Sequence, residues 1–147
     1  MEIQDIMMPK PACCTPDTGL DRIAKLMCDR DCGEIPVVES LATMKVIGVI
    51  TDRDIVCRTL AVGKNPLKLT ARDCMTTPVV TITPNTSLED CFSLMEANQI
   101  RRVPVVDEEQ SCLGIISQAD LAIHAPHRQT AEFLAEVSRP VPVGSSD

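Results

Sequence analysis

Apolar positions recur along the chain in two rhythms, and the succession of those rhythms is repeated once. Leu20, Ile23, Leu26 and Met27 are spaced by three and four residues, which puts them on one face of a helix. Leu88, Cys91, Leu94 and Met95 do the same further on. β-Branched runs follow each helix: Ile35–Glu39 with Val46–Ile50, then Val103–Asp107 with Cys112–Ile116. Polar turns divide each pair of runs, so they are predicted to be strands. A short apolar strand is predicted ahead of each helix, near Ala12–Thr15 and Val79–Thr83, and a second helix begins at Thr51 or Ser117. Thr18 and Thr86 are the predicted N-caps of the longer helices, with Asp21 and Glu89 three residues on as capping-box partners. The order is β-α-β-β-α, twice.

Sliding the sequence against itself by 68 residues shows why. Over residues 5–38 it gives 11 identities in 34 positions, among them Asp5/Asp73, Met7/Met75, Pro36/Pro104 and Val38/Val106. Unrelated sequences would give about two. Past a polar turn the offset falls to 66, pairing Gly48/Gly114, Thr51/Ser117 and Asp54/Asp120. The chain is an internal duplication. The first repeat is placed at 1–63, a connector containing Asn65-Pro66 at 64–70, and the second repeat at 71–125. Residues 126–147 form a C-terminal helix and tail, with Arg128–Val137 predicted helical. One repeat of about 60 residues buries little surface alone. Two packed around a pseudo-twofold axis share a core, and the expected class is α+β.

Charge and composition narrow the function. A net charge of −7 argues against duplex nucleic acid, which needs a basic face. Two Phe and no Tyr or Trp leave little surface for stacking single-stranded bases. No apolar run reaches membrane-spanning length and the N-terminus has no secretory pattern, so a cytoplasmic protein without membrane contact is expected. Eight cysteines with no C-x-x-C read as reduced, mostly structural thiols. Cys28 and Cys32 could share a helix face, and adjacent Cys13 and Cys14 are the first place to look for redox chemistry. His124 and His127 beside a thiol are a weak pattern for Zn²⁺, and no metal site is expected.

The motifs within the repeat are specific. The copies carry G-V-I-T-D-R-D (Gly48–Asp54) and G-I-I-S-Q-A-D (Gly114–Asp120), preceded by E-I-P-V-V (Glu34–Val38) and R-V-P-V-V-D (Arg102–Asp107). With the D-x-M openings at Asp5 and Asp73, this succession closely resembles a pair of cystathionine-β-synthase-type (CBS) domains, as found in small stand-alone bacterial proteins. The resemblance implies two repeats packed with pseudo-twofold symmetry and two clefts for adenosine-containing ligands. It also implies a homodimer and an effector protein that reads the bound state. By this resemblance Asp54 and Asp120 hold ribose hydroxyls, and Thr51 and Ser117 contact ribose or phosphate. The backbone at Ile35-Pro36 and Val103-Pro104 lines the adenine.

The residues themselves permit this chemistry and also a plainer one. An ionised Asp accepts two hydrogen bonds from a diol, and helix N-termini favour anions. Yet Thr/Ser-x-x-Asp at a helix start is also a capping box. Arg101 and Arg102 could hold a phosphate bidentately, whereas the first repeat carries Glu34 in the corresponding place. The cleft of Asp120, Ser117, Arg101 and Arg102 is therefore expected to bind, with Ile35 and Pro36 as its adenine wall from across the axis. The Asp54 cleft is expected to be weaker, with Arg53 partly compensating. The expected function is a non-catalytic regulatory module for AMP, ADP or ATP with no obligate cofactor. The alternatives are a dimeric interaction scaffold with vestigial sites, or a thiol-based redox sensor.

Overall fold

Each half of the chain builds a long helix, a strand hairpin and a shorter helix. In the computed structural model, which describes residues 1–124 and 134–140, the first half contains β1 (Met8–Pro9), α1 (Leu20–Arg30), β2 (Glu34–Val38), β3 (Val46–Thr51) and α2 (Asp52–Arg58). The second contains α3 (Ala71–Cys74), α4 (Leu88–Asn98), β4 (Arg102–Val106), β5 (Cys112–Ser117) and α5 (Gln118–His124). Single turns of 3₁₀ helix at Leu60–Val62 and Pro66–Lys68 carry the connection between them.

The helices form where the apolar rhythm placed them, and the buried stripe explains it. Leu20, Ile23 and Met27 of α1 pack on Ile35, Val37 and Ile50 of the first hairpin. Cys91, Phe92 and Met95 of α4 pack on Val103, Val105 and Ile116 of the second. Each large aliphatic side chain so buried contributes about 1.5–3 kcal/mol. Both long helices end at a residue in the left-handed conformation, Asp31 (φ 49°) and Gln99 (φ 52°), whose N–H returns to the last turn. Both hairpins are antiparallel and in equivalent register, Glu34 opposite Thr51 and Arg102 opposite Ser117. Their turns, 39–45 and 107–111, absorb the length change between the copies.

Two expectations are corrected. The strands predicted near Ala12–Thr15 and Val79–Thr83 shrink to single parallel bridges, Cys14 to Val37 and Ile82 to Val105. Prolines at 11, 16, 78 and 84 flank those segments and remove the N–H groups a longer ladder needs. The caps of α1 and α4 fall one residue later than predicted, at Gly19 and Ser87. The Thr18 and Thr86 hydroxyls instead accept from the N–H groups of Thr15 and Thr83, at 3.0 and 3.2 Å, closing the turn before each helix.

The openings of the two repeats are exchanged. Ile3 donates its N–H to Thr86 O (3.1 Å), β1 pairs with β5, and Ile3 is buried in the core of the second repeat. Ala71 donates to Thr18 O (2.9 Å), Thr76 pairs with Val49, and Ala71 and Cys74 are buried in the core of the first. The geometry that both crossings share explains the paired glycines. A Cβ on Gly114 would stand 2.8 Å from Met8 O, and one on Gly48 would stand 3.0 Å from Thr76 O. A third, smaller core of Val38, Val46 and Val106 closes the seam between the repeats. There Met44 O accepts from the Cys112 N–H at 2.8 Å and Gln110 O from the Val46 N–H at 2.9 Å.

Of the predicted C-terminal helix, residues 134–137 are helical and Val137 is buried against the second repeat. The portions at 128–133 and 141–147 lie outside the described residues. Among the described residues, no helix is long and apolar enough to cross a membrane.

Candidate ligand cleft between the repeats

The Thr/Ser-x-x-Asp motifs sit where each hairpin hands over to its short helix. Thr51 caps α2: its hydroxyl accepts from Asp54 N–H and its own N–H donates to Asp54 Oδ2, both at 3.0 Å. Ser117 and Asp120 repeat the arrangement at α5, at 2.9 Å for Ser117 N–H to Asp120 Oδ2 and 3.2 Å for the return bond. The plain chemistry of a capping box is thus present in both copies.

The two carboxylates differ in what remains to them. Asp54 Oδ2 also takes the Thr76 hydroxyl (3.4 Å), and its Oδ1 pairs with Arg58 at 3.7 Å. Arg58 is itself held by the carbonyls of Cys74 and Met75, at 2.7 and 3.0 Å. Every hydrogen bond to Asp120 among the described residues falls on Oδ2, including one from the Ser117 hydroxyl at 2.9 Å. Its other oxygen is available to a ligand.

Asp120 and Ser117 face a cleft of about 170 Å³ between the repeats. Arg102 of β4, Ile115 of β5 and Met8 of the exchanged β1 share its walls. The first repeat contributes Arg30, Asp31, Cys32 and Glu34, from the end of α1 to the start of β2. Small-molecule sites commonly measure ~300–1,000 Å³, so a nucleotide-sized occupant would leave one end in solvent.

Glu34 is the feature that changes the expected picture. From the repeat alignment it is expected to weaken the Asp54 cleft by repelling phosphate. It lines the Asp120 cleft, facing Arg102 across the pseudo-twofold axis. Its Oε2 is buried with no hydrogen-bond partner. Burial pushes its carboxyl up to about 7, against the opposing pull of Arg102 and with a small further push from Asp54. Arg102 therefore acts on a buried carboxyl as well as facing the cleft.

The other expected residues are distributed more widely. Arg101 is exposed outside the cleft lining, and its carbonyl accepts from Gln118 N–H at 2.8 Å. Ile35 and Val103 are buried in the two main cores, and the carbonyls of Pro36 and Pro104 accept from Cys14 and Ile82 at 3.0 and 3.1 Å. The structure thus does not bring Ile35 or Pro36 into the cleft wall. Arg53 is exposed on α2. Cys32 lies beyond the end of α1 and does not share its face with Cys28. Sequence reasoning missed Met8, Arg30, Asp31, Cys32 and Ile115. The D-x-M opening ends at Met7, one residue short of Met8, and which repeat this segment would join was not readable.

A duplicated β-α-β-β-α unit with a polar cleft between its copies defines a paired-repeat class of protein. The CBS-domain profile matches residues 3–58 and 71–126, and the chain belongs to the CBS-domain family as a tandem pair. CBS pairs are regulatory modules. Hypoxic response protein 1 of Mycobacterium tuberculosis is 31% identical over 142 residues, covering 97% of each chain. CBS domain-containing protein YhcV of Bacillus subtilis is 37% identical over 129 residues, covering 88% of this chain and 89% of its own. Among solved structures, Hypoxic Response Protein I with two coordinated zinc ions superposes with a TM-score of 0.76 at 32% identity, covering 86% of this chain and 100% of that one. CBSX2 in complex with AMP superposes with a TM-score of 0.73 at 21% identity, covering 83% and 94%, and shares the fold. The zinc is a finding about the relative. Among the described residues here, no group of three or more His, Cys, Asp and Glu side chains is arranged to hold a metal. His124 is exposed, and His127 lies outside the described residues.

Proposed function

We propose that this CBS pair senses an adenosine-containing ligand, of the AMP, ADP or ATP class, in the cleft of Asp120, Ser117 and Arg102. Asp120 Oδ1 accepts from the ribose diol while Oδ2 keeps the helix cap, and Arg102 with the Ser117 end of the cleft receives phosphate. Ligand bridging the repeats biases their packing, and an effector protein reads the change. The observation that carries the reading is the asymmetry of the two carboxylates: Asp54 has both oxygens engaged by Thr51, Thr76 and Arg58, and Asp120 has one to spare. The Asp54 site, with Thr51 and Arg53, is accordingly the weaker one. That a protein of this fold is seen with AMP supports the choice of ligand class.

Calorimetric titration with AMP, ADP, ATP and S-adenosylmethionine tests this. Asp120→Asn preserves an acceptor for the cap and should still weaken binding by at least about tenfold, or ~1.4 kcal/mol. Asp54→Asn should leave it within about twofold. Heat from none of the four ligands would sink the proposal.

An interaction role is favoured by a separate observation. Val56, Leu60, Val62 and Leu67, on α2 and the turns after it, are all more than half exposed. The Leu and Met residues of α1 and α4 are largely committed to the cores. We propose that the α2 side forms the homodimer contact.

A further inference from the structure

The cleft between the repeats carries more acidic groups than basic ones. Three carboxyls, Asp31, Glu34 and Asp120, line it against two guanidiniums, Arg30 and Arg102. Burial sorts them along its depth. Glu34 and Asp120 are half-buried, whereas Arg30, Asp31 and Arg102 are exposed. The inner end is therefore rich in hydrogen-bond acceptors, and both guanidiniums stand at the open end. Glu34 and Arg102 hold equivalent places in the two hairpins, opposite Thr51 and Ser117. They do not neutralise one another by contact. Among the described residues no ion pair involves Arg30 or Arg102, and Glu34 Oε2 is buried without a hydrogen-bond partner. A buried carboxylate oxygen without a donor costs free energy, which a donor on an incoming molecule would recover.

Building on the cleft reading above, we propose that Glu34 sets which adenosine ligand is accepted: a monophosphate, with di- and triphosphates turned away. A hydroxyl or amine of the nucleoside donates to the unpartnered Glu34 oxygen, while the ribose diol engages Asp120. One phosphate then meets Arg102 and Arg30 at the open end. Each further phosphate adds negative charge that two guanidiniums cannot match against three carboxyls. Like charges at short range repel by as much as opposite charges attract. Solvent screens half-buried Glu34 less than exposed Asp31, so Glu34 carries most of the discrimination. Burial pushes its carboxyl up to about 7, so at pH 8 it is mostly ionised and the repulsion is in force.

Calorimetric titration of the full chain at pH 8, in magnesium-free buffer, with adenosine, AMP, ADP and ATP tests this. AMP should bind tightest, and its advantage over ATP should be at least about tenfold. Glu34→Gln keeps the shape of the side chain and removes its charge. It should cut that advantage by at least about threefold, mainly by tightening ATP. Asp31→Asn removes an exposed carboxylate at a left-handed φ of 49°, which Asn tolerates. This variant should still prefer AMP, with a smaller change in the ratio. If Glu34→Gln fails to fold by circular dichroism, the wild-type order and the Asp31→Asn ratio still decide. The selectivity is overturned, with the cleft reading left standing, by ATP binding the wild type as tightly as AMP. A ratio that Glu34→Gln leaves unchanged, or that Asp31→Asn changes more, overturns it equally. Silence from all four ligands overturns both.

Discussion

Glu34 is held where an ionised carboxylate is disfavoured, with Oε2 buried and unpartnered. Its carboxyl is pushed up to about 7 by desolvation, against the pull of Arg102. Between the ordinary carboxylate range and about 7, the folded protein keeps a proton that the unfolded chain has released. Stability therefore falls as pH rises through that window, by on the order of 3 kcal/mol, and levels off above it. Glu34→Gln should flatten this slope, so that thermal melts of the variant and wild type diverge most above pH 7 and converge at acidic pH. The same group modulates the cleft. Arg102 from β4 faces it across the seam, Asp54 acts on it from α2, and Arg30, Asp31 and Asp120 share the cleft. A phosphate beside Arg102 competes with ionised Glu34, so nucleotide should bind more tightly at pH 6 than at pH 8. Calorimetry in buffers of different ionisation enthalpy should show proton uptake on binding near neutrality.

Elements show how far the sequence could be read. Both long helices, both hairpins and the Thr51 and Ser117 caps follow from spacing and residue type, because the forces that fix them act within a few residues. The caps at Gly19 and Ser87 were displaced by a single residue, since Thr18 and Thr86 close turns behind the helix instead. The paired glycines follow from element-level contact with no unusual backbone. Gly114→Ala would press its methyl against Met8 O at 2.8 Å, and Gly48→Ala against Thr76 O at 3.0 Å. Both should destabilise, Gly114→Ala more, by about 1–3 kcal/mol in chemical denaturation. What periodicity could not give was the partner of each opening strand. Ile3 and Ala71 satisfy either core equally well as patterns, so self-alignment identifies them as equivalents without saying that they trade places. The position of Glu34 depends on the same assembly. Its hairpin register with Thr51 is local, and its position facing Arg102 exists only once the halves are assembled.

At the scale of the whole molecule, the apolar side of α2 should govern assembly. Leu60→Glu, exposed and outside both main cores, should shift the protein from dimer to monomer in light scattering with little change in circular dichroism. A cleft walled by both repeats also ties ligand to the seam, so nucleotide should raise the melting temperature of the chain as one transition.

The exchanged openings make each copy depend on its twin. The strand that an opening segment crosses belongs to the other copy, so neither half completes its core alone. In the chain the halves are joined through the turns at Leu60–Val62 and Pro66–Lys68. Cutting there should yield fragments that regain structure only when mixed.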